Sequence, residues 1–253
     1  MKIVIITQED RFFLPDCINV LLSNLNEHHH VCAAVVSDVS PFGKKETLFA
    51  KVKKTLAIFG FSFTFRWAIR FALAILRRKS VTPVLQRHNV DILNLSNSIN
   101  HKDSLAKIRS YKPDLLISIA GNEIFKQPLI NLAPKGCLNL HTALLPKYRG
   151  LMPSFWALRF NEKYTGVSVF KVDEGIDSGP IVVQKRIEIN GDSQEQLIVK
   201  TKRLGMTAVI EAVARIENGD VNFLANDDAD MTYFSFPKKS DVHEFLSNGN
   251  RFF

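Results

Sequence analysis

Residues 136–150 read GCLNLHTALLPKYRG. The segment opens as a short apolar run, Gly136–Leu140, and places two polar residues, Asn139 and His141, where that run ends. Side chains at i and i+2 of a strand project to the same face, so both residues face one side of the expected sheet. Similar runs lie on either side: Lys2–Thr7, Val31–Val36, Asp91–Leu95 and Asp114–Ala120 before it, Thr165–Val172 and Ile181–Ile189 after it. Helical stretches separate them. Asp16 is expected to cap a helix with Ile18, Leu21, Leu22 and Leu25 at helical spacing, and Ser104–Ser110, Glu123–Leu132 and Pro153–Asn161 also read as helical. Strands alternating with helices predict an α/β fold, a Rossmann-like, mostly parallel twisted sheet flanked by helices.

A long helix is expected from Ser193 to Asn218, with Gln196 completing a capping box and Asn218-Gly219 as its stop. The organisation predicted is one domain over 1–219, interrupted by an insertion at 44–80, and a C-terminal extension over 220–253. That extension is irregular until Asp241, which is expected to cap a short helix through Leu246.

The 253 residues are 46% hydrophobic and 23% charged, with 12 Gly and 10 Pro, which excludes collagenous and wholly disordered chains. Cys17, Cys32 and Cys137 form no C-x-x-C pair, so neither a disulfide framework nor a structural zinc site is expected, and a reducing cytoplasm is the simpler setting. His28-His29-His30 reads as a solvated turn rather than a metal site. The apolar run at Met1–Thr7 is too short for a signal-peptide core. No G-x-G-x-x-G follows the first strand and no Walker-type loop occurs, which argues against dinucleotide or NTP binding through such loops.

The net charge of +8 is local. Residues 44–80 hold ten Lys or Arg against one acid, Glu46, so the other 216 residues sum to −1 and a nucleic-acid partner is not expected. Lys44–Ala57 reads as a basic helix, followed by Phe59, Phe61, Phe63, Phe65, Trp67, Ile69, Phe71 and Leu73 around Arg66 and Arg70. The two arginines argue against a spanning helix. Two readings stand: a helical hairpin packed on the domain, which is preferred, and a peripheral helix lying in a membrane interface at the inner face of the membrane.

The polar set at the end of the 136–141 run suits acyl transfer to an amine. An unperturbed imidazole titrates at about 6.5, so it can take the proton that an attacking amine sheds. A neighbouring carboxylate would orient the ring, and an amide N–H could donate to the developing oxyanion. The loop VDEGIDSGP at 172–180 offers three carboxylates.

These segments together resemble a known family. GCLNLHTALLPKYRG, then Thr165-Gly-Val-Ser-Val169, then Asp173-x-Gly175-x-Asp177-x-Gly179-Pro180 look like the formyltransferases that use 10-formyltetrahydrofolate. The resemblance is densest from Asp114 to Ile189 and does not cover 44–80 or the tail. It implies a formyltransferase catalytic domain with Asn139 stabilising the oxyanion, His141 as general base and then the cation beside that oxyanion, and Asp177 holding the histidine or an ordered water for proton transfer. It also implies a pterin slot between Ala120, Gly121, Asn122 and Ile124 on one loop and Gly175 and Ile176 on another, with much of the contact made by backbone. Polar Asn122 and Glu123 depart from the family's commoner apolar residues there.

The acceptor is narrowed by further departures. Where glycinamide ribonucleotide enzymes hold a phosphate on a Gly/Ser-rich turn, this chain reads QEDRFFLP at 8–15, whose two acids are expected to repel one. About 34 residues follow Gly219, too few for the C-terminal barrel of methionyl-tRNA formyltransferases. The segment GLMPSFWA at 150–157 resembles the sugar-modifying branch. The expected partner is therefore a small-molecule amine, in first place an amino sugar, nucleotide- or lipid-linked. Shortened tRNA formylation, hydrolysis of the formyl donor and a non-catalytic folate-binding module are the alternatives. Sheets of this kind often pair into homodimers, but no residue marks an interface.

Overall fold

The computed structural model describes residues 1–39 and 47–253. Its centre is a seven-stranded sheet in the order β3-β2-β1-β4-β5-β7-β8. These strands are β1 (Lys2–Gln8), β2 (His30–Ser37), β3 (Asp91–Leu93), β4 (Leu115–Ile119), β5 (Cys137–His141), β7 (Tyr164–Lys171) and β8 (Ile181–Glu188). The first five run parallel; β7 and β8 form an antiparallel hairpin on the edge of β5. Ile3, Val4 and Ile5 are fully buried and feed two apolar layers, one on each face of the sheet, which is why β1 is a continuous apolar run rather than an alternating one.

The helices are α1 (Leu14–Asn24), α2 (Leu48–Leu76), α3 (Val81–Arg87), α4 (Lys102–Ser110), α5 (Gln127–Ile130), α6 (Pro153–Arg159), α7 (Gln194–Asn218) and α8 (Lys239–Ser247). Two short strands, β6 (Arg149–Gly150) and β9 (Tyr233–Phe234), pair in parallel. The expected capping box at Ser193 and Gln196 is present on α7, and Gly219 closes that helix in the left-handed conformation. Asp241 accepts the Lys238 amide at the start of α8.

Three local readings are corrected, two of helices and one of a turn. Asp16 lies inside α1; the amides of Phe12, Phe13 and Leu14 go instead to the Asp10 carboxylate. The helix expected over Glu123–Leu132 shrinks to α5, because the Glu123 carboxylate takes the Ser98 hydroxyl and the Ile99 amide and holds its segment as a loop. Residues 26–29 do form a turn, with His28 and His30 exposed, but the side chain of His29 is buried, 3.3 Å from Glu217. Burial pushes its imidazole below its ordinary value, and the opposing pull of Glu217 is smaller.

The insertion is helical and in two pieces, and one of its apolar faces packs on the domain as expected. Thr47 caps α2, and the helix is broken at Gly60, whose φ of 81° and ψ of 176° no helical residue adopts. Residues 44–46, where the basic helix was expected to begin, lie outside the described residues. One face of α2 packs down: Phe59 and Phe63 against Phe252, Phe63 against Phe253, Trp67 and Phe71 against Phe12. Arg70 pairs with Glu195 at the start of α7. A part-exposed pair of this kind contributes about 0–1 kcal/mol, and each aromatic pair adds about 0.5–1.5 kcal/mol beyond the area it buries, so the several aromatic contacts together outweigh the single ion pair in holding the insertion down.

The same cluster seats the C-terminal segment. Phe155, fully buried, stacks on Phe245 and Phe252, and the Arg251 and Phe252 carbonyls accept the Gln194 and Glu195 amides of α7. Residues 220–253 are thus woven into the domain over 1–219.

The acid Glu9 anchors the end of the insertion. Its carboxylate accepts from the Ser80 and Thr82 hydroxyls and from the Val81 and Thr82 amides, which satisfies the first turn of α3. Burial pushes this carboxyl up, but the four hydrogen bonds together outweigh it and leave it below its ordinary value. A depressed carboxyl stabilises the fold above its unfolded value, and the contribution fades as pH falls through the folded one. Glu9→Ala is therefore expected to cost about 0.5–2 kcal/mol at neutral pH, the range for a lost helix cap. In denaturant titrations the gap to wild type should close below about pH 4; a gap independent of pH would contradict this role.

Candidate functional site

The strand order reverses between β1 and β4, and in open α/β sheets the crevice beyond the carboxyl ends of such strands is where ligands bind. A cavity of about 390 Å³ lies there. It is lined from the end of β1 by Gln8, from the loop after β4 by residues 118–125, from the end of β5 by Asn139 and His141, and from the next loop by Gly175, Ile176 and Asp177. Every residue proposed from the sequence, Ala120, Gly121, Asn122 and Ile124 included, faces this one cavity.

The register explains how Asn139 and His141 share a face. In β5, Asn139 stands opposite Phe170 of β7 and Ser118 of β4, and His141 opposite Ser168. His141 is buried, and its Nε2 lies 2.7 Å from the Tyr148 carbonyl. A carbonyl only accepts, so Nε2 carries the proton and Nδ1 keeps the lone pair. That Nδ1 is 3.5 Å from Oδ2 of Asp177, beyond a good hydrogen bond but close enough for the carboxylate to stabilise an imidazolium. The same Oδ2 accepts the Gly150 amide at 2.9 Å, which fixes the carboxylate. Asn139 makes no side-chain hydrogen bond with another described residue, leaving its amide available to a ligand.

Only one of the three loop carboxylates reaches the histidine. Asp173 turns back to accept the Gly175 amide and the Ser178 hydroxyl, and Glu174 is exposed. Asp177 adopts a left-handed φ of 50°, a conformation that Asp tolerates better than most residues. Gly179 is required: a Cβ there would meet the Lys171 carbonyl oxygen at 1.8 Å.

The LLPKYRG loop is held from beneath. The Ser168 hydroxyl donates to the Ala143 carbonyl and accepts the Leu145 amide, while Gln184 donates to the Leu145 carbonyl. This gives Ser168 of the Thr165–Val169 segment a structural task. The bond between Leu145 and Pro146 is cis. Gly150, at a φ of 94°, brings the loop against the Phe234 carbonyl oxygen, which a Cβ would meet at 2.3 Å.

The polar departures at Asn122 and Glu123 brace the slot loop. Asn122 accepts the Ser37 hydroxyl and donates to the Asp38 carbonyl, so its side chain is committed and it faces the cavity through its backbone. Ile124 and Ile176 expose their side chains at the rim. Glu9 and Asp10, expected to repel a phosphate, serve the starts of α3 and α1 as described above and do not line the cavity.

Met152 and Pro153, in the 150–157 segment that the resemblance points to as a wall of the acceptor site, line the cavity; sequence reasoning missed the walls from more distant elements, Lys202 and Met206 of α7 and Phe236 of the tail. Only the helical spacing of 202 and 206 is readable in advance. It also missed the tail's grip on the site. Asn226 donates to the Asp177 and Gly179 carbonyls, and buried Arg149 pairs with Asp228 and donates to Asn226.

The fold and this constellation define the class: a doubly wound α/β protein with an amide, an imidazole and a carboxylate around one crevice at its switch point. The formyl transferase family model matches residues 1–213, and the chain belongs to that family. The methionyl-tRNA formyltransferase of Kosmotoga olearia is 40% identical over 159 residues, covering 62% of this chain and 51% of the relative. That of Thermotoga maritima is 32% identical over 170 residues, covering 66% and 54%. The chain spans about half the length of the curated relatives it matches. Among solved structures, the glycinamide ribonucleotide transformylase 1 of Symbiobacterium toebii superposes with a TM-score of 0.63 at 17% identity, covering 89% of this chain and 92% of that one. An N-formyltransferase from Helicobacter canadensis in complex with folinic acid and dTDP-3-aminofucose gives 0.60 at 17%, covering 98% and 80%. At these identities the likeness is one of fold.

Asn226→Ala removes donors from two loop carbonyls and an acceptor from a buried guanidinium. The expected cost is about 1–3 kcal/mol in denaturant unfolding, with faster proteolysis within 220–236. Unchanged stability would show that the tail is not what holds the Asp177 loop.

Proposed function

We propose that this chain transfers a formyl group from 10-formyltetrahydrofolate to a primary amine, in first place that of an amino sugar, nucleotide- or lipid-linked, in the cytoplasm. The observation that carries the reading is the pairing of an uncommitted Asn139 amide with an imidazole whose Nε2–H is tied to Tyr148 and whose Nδ1 faces Asp177. The slot between residues 120–124 and 175–176 suits a flat heterocycle. Ile124 and Ile176 offer apolar rims, and the Gly121 and Asn122 amides are not used by other described residues.

When bound, 10-formyltetrahydrofolate supplies an activated formyl carbon. Asn139 would donate to the carbonyl oxygen as it gains charge. His141 would take the proton shed by the attacking amine at Nδ1, and Asp177 would hold the resulting imidazolium until the proton is returned to the departing nitrogen. The volume of about 390 Å³ is that of a small-molecule site, and the 150–153 segment supplies a further part of its wall.

The relatives named methionyl-tRNA formyltransferase support a second acceptor, charged initiator tRNA. Incubating the chain with 10-formyltetrahydrofolate and, separately, amino-deoxysugar nucleotides, lipid-linked amino sugars and charged initiator tRNA distinguishes the acceptors. A formylated amino sugar is expected. Formylation of the tRNA alone would overturn the acceptor, and formate release without any amine would overturn transfer. Asn139→Ala is expected to lower kcat about 10²–10³-fold, as for loss of an oxyanion donor, and His141→Ala to abolish turnover; near-wild-type rates in either would remove the mechanism.

A further inference from the structure

The face of α2 turned away from the domain is apolar as well. Phe61, Phe65, Ile69 and Leu73 recur every four residues, Leu76 extends the row, and all are exposed, Phe61 at 74% and Leu76 at 79%. Spacing of this kind makes one continuous stripe along a helix. The helix thus has two apolar faces: the one that packs through Phe63, Trp67 and Phe71, and this one. An exposed apolar stripe of this length marks an interaction surface.

Charge says what the surface meets. Residues 47–79 contain eight Lys or Arg and no acid. By helical geometry Arg66 and Arg77 fall at the border between the two apolar faces, beside Arg70, which is turned to Glu195. Arg77 and Arg78 are exposed at the end of the stripe and form no ion pair with another described residue. A second copy laid on the stripe would bring two such cationic segments together, which like-charge repulsion opposes. A spanning arrangement is also excluded. The helix is long enough, but it is broken at Gly60 and fastened along its side by the aromatic contacts and by Arg70 with Glu195.

We infer that α2 docks the protein on an anionic lipid surface, lying flat in the interface with the stripe among acyl chains and the basic border among headgroups. Long basic side chains at such a border reach up to the headgroups while their stems cover apolar surface. The inference is independent of the acceptor and of the catalytic reading. Lys54, on the first half of α2, lies over the ring of Phe236, which lines the cavity, so the start of the insertion adjoins the crevice.

Flotation of the full chain tests it, using vesicles of phosphatidylcholine with about 30% phosphatidylglycerol and vesicles of phosphatidylcholine alone. Binding to the anionic vesicles at low salt is expected, reduced by added salt, which screens the basic border. The pair Phe61→Ser with Phe65→Ser and, separately, Arg77→Gln with Arg78→Gln should each weaken partitioning about tenfold or more while circular dichroism and the unfolding midpoint stay as in wild type. Failure of the intact protein to float at low salt would overturn the proposal, as would wild-type flotation of both variants. Equal binding to the neutral vesicles would overturn its anionic part. A dimer in light scattering that the Phe61/Phe65 variant abolishes, without flotation, would assign the stripe to a second copy instead.

Discussion

The 2.7 Å bond from His141 Nε2–H to the Tyr148 carbonyl is the constraint on which the site depends. It decides which ring nitrogen is basic. It also ties the end of β5 to the LLPKYRG loop, whose Gly150 amide then fixes the carboxylate that faces the other nitrogen. Ring, loop and carboxylate are therefore set by one chain of hydrogen bonds, and the residues that shape the loop, Ser168 and Gln184 among them, act on the imidazole without touching it.

The carboxyl-terminal residues complete that arrangement from outside. Asn226 fastens the carbonyls of Asp177 and Gly179, β9 pairs with β6, and Phe236 closes one side of the cavity. The aromatic cluster around Phe155 joins these residues to α6, α7 and α2, so the site rests on the docking of the tail as much as on the sheet. Arg149, buried beside Asp228 and Asn226, is the cation at that junction.

Much of this was legible because the signals are local. Apolar runs gave the strands to within a residue or two, and the Ser193–Gln196 box gave the start of α7. The i, i+2 spacing put Asn139 and His141 on one face, and the family resemblance singled out Asp177 from three carboxylates. What failed was non-local. Nothing near Asp16 announces that Asp10 takes the helix amides, and nothing near Glu123 announces that Ser98 and Ile99 convert a helical pattern into a loop. The insertion was legible as helical and packed on the domain, but its packing face was not: with apolar residues on two faces, its periodicity does not say which one packs, and the partners Phe252 and Phe253 lie at the other end of the chain.

The most direct test is the tautomer of His141, read by nitrogen NMR on protein labelled at histidine and assigned with His141→Gln. The account predicts a neutral ring with the proton on Nε2 and a bare, pyridine-like Nδ1 that gains its proton on the Asp177 side when the ring is charged. A neutral ring protonated at Nδ1 would place the basic nitrogen against the Tyr148 carbonyl and contradict the account.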